Sequence, residues 1–208
     1  MVAGYSLSTG TPEVQPDASL IVISWNTQDM TLACLASFLT PHSQNRYETW
    51  VVDNASDDGS VEAIASQFPQ VRLIRNSENR GFASANNQAL RAAAGRYLLL
   101  LNSDTLVLGD VIEQSVRYMD THPDVGVLGC RVLNPDGTVQ LTCFGAPTLV
   151  NLFFKVTGLF KLPWPRFFSR EHMPYWQRDS ERDVDIVTGC YMMVRREALQ
   201  QVGLLDES

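Results

Sequence analysis

Three features of the sequence predict an α/β fold in which a mainly parallel central sheet is flanked by helices. Short apolar runs alternate with stretches of helical periodicity from Leu20 to about Met119, and that alternation calls for parallel strands joined by right-handed crossovers. Tyr97-Leu98-Leu99-Leu100-Leu101 is wholly apolar and follows a helical stretch, the pattern of a central strand buried on both faces. That run ends abruptly in Asn102-Ser103-Asp104, and ligands of open α/β sheets sit beyond the carboxyl ends of such strands.

The elements follow in order. Residues 1–18 are rich in Ser, Thr, Gly and Pro without periodicity and predict a loose N-terminal tail, leaving 19–208 as a single domain. Leu20-Ile21-Val22-Ile23 reads as a strand, Met30 to Leu39 as a helix, and Thr49-Trp50-Val51-Val52 as a second strand. This strand stops at Asp53-Asn54-Ala55-Ser56-Asp57-Asp58-Gly59. Val61, Ile64, Ala65 and Phe68 then follow i, i+3, i+4, i+7 helical spacing, with Asp57 and Asp58 placed to cap its positive end. Val71-Arg72-Leu73-Ile74 predicts a third strand, and Phe82 to Ala94 an Ala-rich helix stopped by Gly95. Val111, Ile112, Val116 and Met119 mark a further helix, followed by a strand from Val125 to Val132. Beyond it come a turn at Asn134-Pro135-Asp136-Gly137, an aromatic and basic stretch from Phe144 to Arg170, an extended segment from Asp183 to Val194 and a short helix from Arg196 to Val202.

At 208 residues and 45% hydrophobic content the chain is long enough for one well-buried domain and short for two. A net charge of -7 repels a nucleic-acid backbone, which argues against DNA or RNA as partner. Cys34, Cys130, Cys143 and Cys190 are far apart with no C-x-x-C pair and no secretory leader ahead of them, a usage that fits reduced thiols and a cytoplasmic protein. His42, His122 and His172 are scattered, so no zinc site is predicted. No apolar stretch reaches the ~20 residues needed to span a bilayer.

Three strand ends present polar clusters at one edge of one sheet: Ser24-Trp25-Asn26, Asp53-Asn54-Ala55-Ser56 and Asn102-Ser103-Asp104. Together they meet the needs of a nucleoside diphosphate. A base requires an aromatic face and an acceptor for its ring N–H, a ribose requires hydroxyl partners, and two phosphates require a cation. Trp25, Asp53 and Asp104 offer these in order. Oxygens two residues apart on extended chain face the same side, so Asn102 and Asp104 can share one hard cation, Mg2+ or Mn2+. Each residue also has a plain alternative: Asn-Ser-Asp as a polar turn before the helix near Asp110, and Trp25 as ordinary core.

The motifs Val22-Ile23-Ser24-Trp25-Asn26, Val51-Val52-Asp53-Asn54-Ala55-Ser56-Asp57, Asn79-Arg80-Gly81-Phe82-Ala83-Ser84-Ala85-Asn86-Asn87 and Leu101-Asn102-Ser103-Asp104-Thr105 occur in that order. Asn134-Pro135-Asp136-Gly137, Thr188-Gly189-Cys190 and Val202-Gly203-Leu204-Leu205-Asp206-Glu207 follow. In order and spacing the sequence resembles family 2 of the inverting glycosyltransferases with the GT-A fold, especially the bacterial branch of rhamnosyl- and galactofuranosyltransferases. The resemblance implies a Rossmann-like nucleotide-diphospho-sugar transferase fold, with a nucleotide-binding part at about 19–120 and an acceptor-side part at about 121–208. It implies that Asp53 accepts from the base, with Asn54 and Ser56 nearby, and that Trp25 packs on the base. Arg80 and Asn87 fall in the segment that lines the nucleotide and supports the metal strand; read without the resemblance, they are a solvated cation and a plain helix residue. Asn102-Ser103-Asp104 occupies the D-x-D site.

Two departures stand out. Asn102 replaces a carboxylate, so the cation is expected to bind weakly without nucleotide. The family's catalytic base follows the Gly-x-x-Asp-Glu segment, yet the sequence stops at Ser208, so the domain is expected to be truncated at its C-terminus. Asp206 is then a stand-in for that base or a sugar contact. The implied activity is inverting transfer from a UDP- or dTDP-sugar to a glycan or lipid-linked acceptor in polysaccharide biosynthesis. The alternatives are a catalytically silent nucleotide-sugar binding module and a sugar-phosphate nucleotidyltransferase. The nucleotidyltransferase wants a Gly-rich loop after the first strand, where Ser24-Trp25-Asn26-Thr27-Gln28 has no glycine; a dinucleotide-dependent oxidoreductase fails on the same point. The apolar segment within 149–170, flanked by Lys155, Lys161, Arg166 and Arg170, fits either a loop packed on the acceptor side or peripheral contact with the inner face of the cell membrane.

Overall fold

The computed structural model describes residues 15–39, 46–146, 148–149, 156–157, 173 and 176–208. In chain order the elements are β1 (Ala18–Ser24), α1 (Gln28–Phe38), β2 (Tyr47–Asp53), α2 (Ser60–Gln67), β3 (Arg72–Arg75), α3 (Gly81–Ala92), β4 (Tyr97–Asn102), α4 (Val111–Thr121), β5 (Val127–Gly129), β6 (Val132–Leu133), β7 (Val139–Gln140), β8 (Cys143–Phe144), β9 (Ile186–Val187), β10 (Tyr191–Arg195) and α5 (Arg196–Val202). The main sheet has six strands in the order β3-β2-β1-β4-β10-β5. The first four are parallel, and β10 runs antiparallel to both β4 and β5. Two short ribbons, β6-β7 and β8-β9, stand apart from it.

Burial on both faces explains the unbroken apolar runs. Leu20, Val22, Leu99 and Leu101 point to one face, where Cys34, Leu35 and Phe38 of α1, Ile64 of α2 and Ile112, Val116 and Met119 of α4 cover them. Ile21, Leu98 and Leu100 point to the other, under Ala85, Ala89 and Leu90 of α3. Each fully buried Leu or Ile contributes roughly 1.5–3 kcal/mol relative to exposure, and β1, at the centre, is the strand whose register fixes the rest. That register aligns Ser24 with Asp53 and Ile23 with Asn102, so three strand ends finish level with one another.

Several boundaries differ from the sequence reading. Residues 15–18 belong to the fold and not to a loose tail: Asp17 pairs with Arg46 and Arg96, the Arg96 N–H donates to the Pro16 carbonyl, and Ala18 already lies in β1. Residues 1–14 lie outside the described residues. Helix α1 begins two residues before Met30 because Asp58, from the loop after β2, accepts from the Gln28 N–H at 2.9 Å. Asp58 also accepts from Ser60 at the start of α2, so one carboxylate serves two helix starts, and the Ser60 hydroxyl first among these donors holds it below its ordinary pKa. The strand expected over Val125–Val132 divides into β5 and β6. Arg195 closes the end of α4, donating to the Met119, His122 and Val125 carbonyls.

Gly95 is not the helix stop. Helix α3 ends at Ala92, and Gly95 sits where the chain passes against the backbone of β1. A Cβ there would lie 2.5 Å from the Ser19 nitrogen and 2.6 Å from the Ala18 carbonyl carbon. Most of 149–170 lies outside the described residues, and among the described ones no helix is long and apolar enough to cross a membrane. His42 and His172 likewise fall outside them.

Because β1 is held on both sides, it cannot yield to a new methyl group. Gly95→Ala is expected to lower stability by about 3 kcal/mol, read by chemical denaturation; a loss below about 0.5 kcal/mol, the level of an ordinary surface substitution, would show that the two segments are not in close contact.

Candidate functional site

The site is assembled where β1, β2 and β4 end. Ser24 is fully buried, its hydroxyl 3.1 Å from that of Thr31, and the chain then turns outward. Trp25 is 54% exposed, so it is not core, and it directly follows the end of β1. Asn26 follows at φ 52°, a left-handed conformation that asparagine tolerates better than most residues.

Asp53 closes β2 and is only 1% exposed. One oxygen, Oδ2, accepts from the Ser56 N–H at 2.9 Å; the other, Oδ1, is buried with no hydrogen-bond partner. Leaving a buried acceptor unpaired costs about 1–3 kcal/mol, so this oxygen suits an N–H donor brought by a ligand. Ala55 at φ 66° adds strain in the same loop. The loop is stitched to that of β1: Asn54 N–H donates to the Ser24 carbonyl at 2.8 Å, Asn26 N–H to Ser56 Oγ at 2.9 Å, and Asp57 N–H to Asn26 Oδ1 at 2.9 Å.

Asn54 is 3% exposed and spends its amide on protein partners. Nδ2 donates to Asn79 Oδ1 and the Gly81 carbonyl, while Oδ1 accepts from Asn76 Nδ2 and the Arg80 N–H. Its place is therefore that of an organiser, tying the segment ahead of α3 to the end of β2, and Ser56 is likewise engaged between loops. Arg80 is half exposed, with a distant ion pair to Glu78 at 3.9 Å that contributes little to stability. Asn87, expected in the segment that lines the nucleotide, makes its hydrogen bonds to the C-terminal segment. It is buried in α3, exchanging hydrogen bonds with the Leu205 carbonyl (2.8 Å) and N–H (3.0 Å) and donating to Glu207 Oε1 at 2.7 Å.

Beyond β4 the chain turns at once. The Thr105 N–H donates to the Asn102 carbonyl at 3.1 Å, so Asn102 ends β4 and Asp104 lies in the tight turn that follows, not on extended chain. The turn is fixed from two sides, by Thr27 Oγ1 donating to Ser103 Oγ at 3.2 Å and by the Cys190 carbonyl accepting from the Asn102 N–H at 3.2 Å. Asp104 is exposed, and among the described residues neither its carboxylate nor the Asn102 amide has a hydrogen-bond partner. Beneath the turn, Cys34 donates to the Asn102 carbonyl; burial, reinforced by the Asp104 charge, pushes its thiol up to about 12. No group of three or more His, Cys, Asp or Glu able to hold a metal occurs among the described residues. One carboxylate and one amide oxygen fit part of the shell of Mg2+ or Mn2+, with the remaining ligands left to a diphosphate and water.

Asp206 is exposed and accepts from the Ser208 N–H at 3.0 Å. Ser208, through its N–H first and then its hydroxyl, holds the carboxyl below its ordinary pKa, which keeps it ionised. The motifs contain Asn79 and Cys190 without giving either a role, and Asn76 is in none of them. The run Asn76-Ser77-Glu78-Asn79, dense in turn-forming side chains, was the available signal for Asn76 and Asn79.

The glycosyl transferase family 2 profile matches residues 19–203. The chain is 29% identical over 171 residues to the N-acetylglucosaminyl-diphospho-decaprenol L-rhamnosyltransferase of Mycobacterium tuberculosis (strain ATCC 25618 / H37Rv), covering 76% of this chain and 54% of that protein. It is 29% identical over 206 residues to the O-antigen biosynthesis protein RfbC of Myxococcus xanthus, covering 95% of this chain and 15% of RfbC. Among solved structures, the mannosyltransferase PcManGT of Pyrobaculum calidifontis, in complex with GDP-Man and Mn2+, superposes with a TM-score of 0.61 at 25% identity, over 95% of this chain and 49% of that one. TarS of S. aureus (residues 1–349) shares the fold, with a TM-score of 0.59 at 17% identity over 92% of this chain and 51% of that one. The fold is thus GT-A, and the chain spans about half the length or less of these proteins.

If Asn87 is the anchor of the C-terminal segment, Asn87→Ala frees it. Amide hydrogen exchange at Leu205 should accelerate at least about ten-fold, the equivalent of one hydrogen bond's net contribution, while exchange in β1 and β4 stays unchanged; equal protection at Leu205 would show that the segment is held by other contacts.

Proposed function

The chain belongs to glycosyl transferase family 2, and from that premise we propose that it binds a nucleoside-diphosphate sugar at the ends of β1, β2 and β4 and transfers the sugar, with inversion, to an acceptor hydroxyl. The observation that carries the reading is the buried, unpaired Oδ1 of Asp53 beside an exposed Trp25. A pyrimidine base meets both: its ring N–H donates to Oδ1 and its face packs on the indole. Uridine or thymidine diphosphate is the proposed carrier, although PcManGT is complexed with a guanosine nucleotide and TarS has been solved with UDP-GlcNAc.

Asp104 and the side-chain oxygen of Asn102 would hold a divalent cation together with the diphosphate. When bound, that ion neutralises the charge that develops on the leaving diphosphate. The chain's own residues bind and orient. Asp53 fixes the base, and the loops joined by Asn26, Asn54 and Ser56 keep it from shifting. Ser103 and Cys190 hold the turn that carries Asp104, so the anomeric carbon is presented to the acceptor for a single in-line displacement. Asp206, exposed in the C-terminal segment, is the proposed stand-in for the base that takes the acceptor proton, or a sugar contact. The acceptor is proposed to be a glycan or a lipid-linked glycan, the class named for the mycobacterial relative.

Calorimetry with UDP, with and without Mn2+, tests the two ends of the site separately. Asp53→Asn turns an amide N–H toward either the base or Ser56 and should weaken UDP binding at least about ten-fold in both conditions, as expected when a buried pairing is lost. Asp104→Ala should remove only the gain that Mn2+ confers. Unaltered binding by the first variant, or an intact metal-dependent gain in the second, would move the nucleotide or the cation elsewhere.

A further inference from the structure

Phe82, the second residue of α3, is 48% exposed, and its backbone is held at two points. Its carbonyl accepts from Asn86 Nδ2 at 2.9 Å, and the carbonyl of Gly81 before it accepts from Asn54 Nδ2 at 3.3 Å. The edge of the ring lies on Gly189. A Cβ at that position would stand 3.1 Å from Phe82 Cζ and 3.5 Å from Cε1, with no other non-neighbouring heavy atom within 4 Å. Gly189 in turn precedes Cys190, whose carbonyl accepts from the Asn102 N–H and, at 3.5 Å, from Thr105 Oγ1. The ring therefore reaches from the organiser of the β2 end to the residues that back the Asp104 turn.

The strand order places it. From β2, where Asp53 sits, through β1 and β4 to the start of β10 are three strand spacings, about 14 Å in all. A base, a ribose and two phosphates laid across that distance put the transferred sugar beside Gly189. Sugars carry a C–H face that packs on aromatic rings, and an exposed ring on an anchored backbone, with its edge against Gly189, offers such a platform. We propose that Phe82 is a specificity-determining residue whose exposed ring packs on the C–H face of the transferred sugar, and that Gly189 lets the ring sit there, since a Cβ would press on its edge at 3.1 Å. This rests on the nucleotide-sugar reading above.

The test is the ratio of affinities of a nucleotide sugar and its own diphosphate, measured with Mn2+ for UDP-glucose, UDP-N-acetylglucosamine and dTDP-rhamnose. The wild-type protein is expected to bind at least one of these sugars more tightly than the bare diphosphate. Phe82→Ala should reduce that ratio about five-fold, the scale of an aromatic packing contact, and Phe82→Leu should reduce it less. Gly189→Ala should reduce it too, but not when added to Phe82→Ala, since the atom it meets is then gone. A wild-type ratio in Phe82→Ala accompanied only by a lower melting temperature would reduce Phe82 to packing and overturn the proposal. So would a full Gly189→Ala effect in the double variant, or a wild-type protein that gains nothing from any of the sugars. Failure of the wild-type protein to bind UDP or dTDP at all would instead sink the nucleotide-sugar reading itself, and this proposal with it.

Discussion

A carboxylate at the buried end of β2, satisfied on one oxygen and unsatisfied on the other, is the constraint around which the crevice is arranged. Asp53 cannot relax toward water, because β1 and its outward turn lie on one side and the segment leading to α3 on the other. It cannot pair internally either, since the nearby amides are committed: Ser56 N–H to Oδ2, Asn54 N–H to the Ser24 carbonyl, and Asn76 N–H to the Asp53 carbonyl. Positive φ at Asn26 and Ala55 belongs to the same arrangement. Strain and unmet polarity of this kind persist where surrounding packing over-determines them, and here the doubly covered sheet supplies that packing.

Asparagine is the joining element. An amide both donates and accepts, so one side chain can bridge two loops without introducing a charge. Asn26 joins the β1 and β2 loops, Asn54 with Asn76 and Asn79 joins β2 to the start of α3, and Asn87 joins α3 to the C-terminal segment. The strands set where the loops begin, and these amides set where the loops go. Rigidity at the strand ends then reaches the Asp104 turn through Thr27 and Ser103.

Legibility in the sequence followed the range of the interaction. Strands buried on both faces declare themselves as apolar runs, so β1, β2 and β4 and their polar ends were readable, as was the amphipathic α4. Motif resemblance located Asn54, Ser56 and Asn87 near the crevice but not the direction of their side chains, because their partners lie 25, 30 and 118 residues away. Local periodicity carries no trace of such pairings. Gly95 was misread for a related reason: a glycine after a helix suggests a stop, whereas here the requirement is the backbone of β1 passing within 2.5 Å of where a Cβ would be. Extended chain was expected through Asp104, while the Thr105 hydrogen bond puts Asp104 in a turn directly after Asn102 closes β4.

In the proposed reading, the donor that reaches Asp53 Oδ1 is the ring N–H of the nucleotide base. Replacing the base N–H of UDP by N–CH3 removes that donor and leaves the ribose and phosphates intact. Comparing the affinities of UDP and N3-methyl-UDP in the presence of Mn2+ therefore tests the account directly. It predicts at least about ten-fold weaker binding of the methylated nucleotide, from the lost pairing of a buried acceptor; equal binding of the two would contradict it.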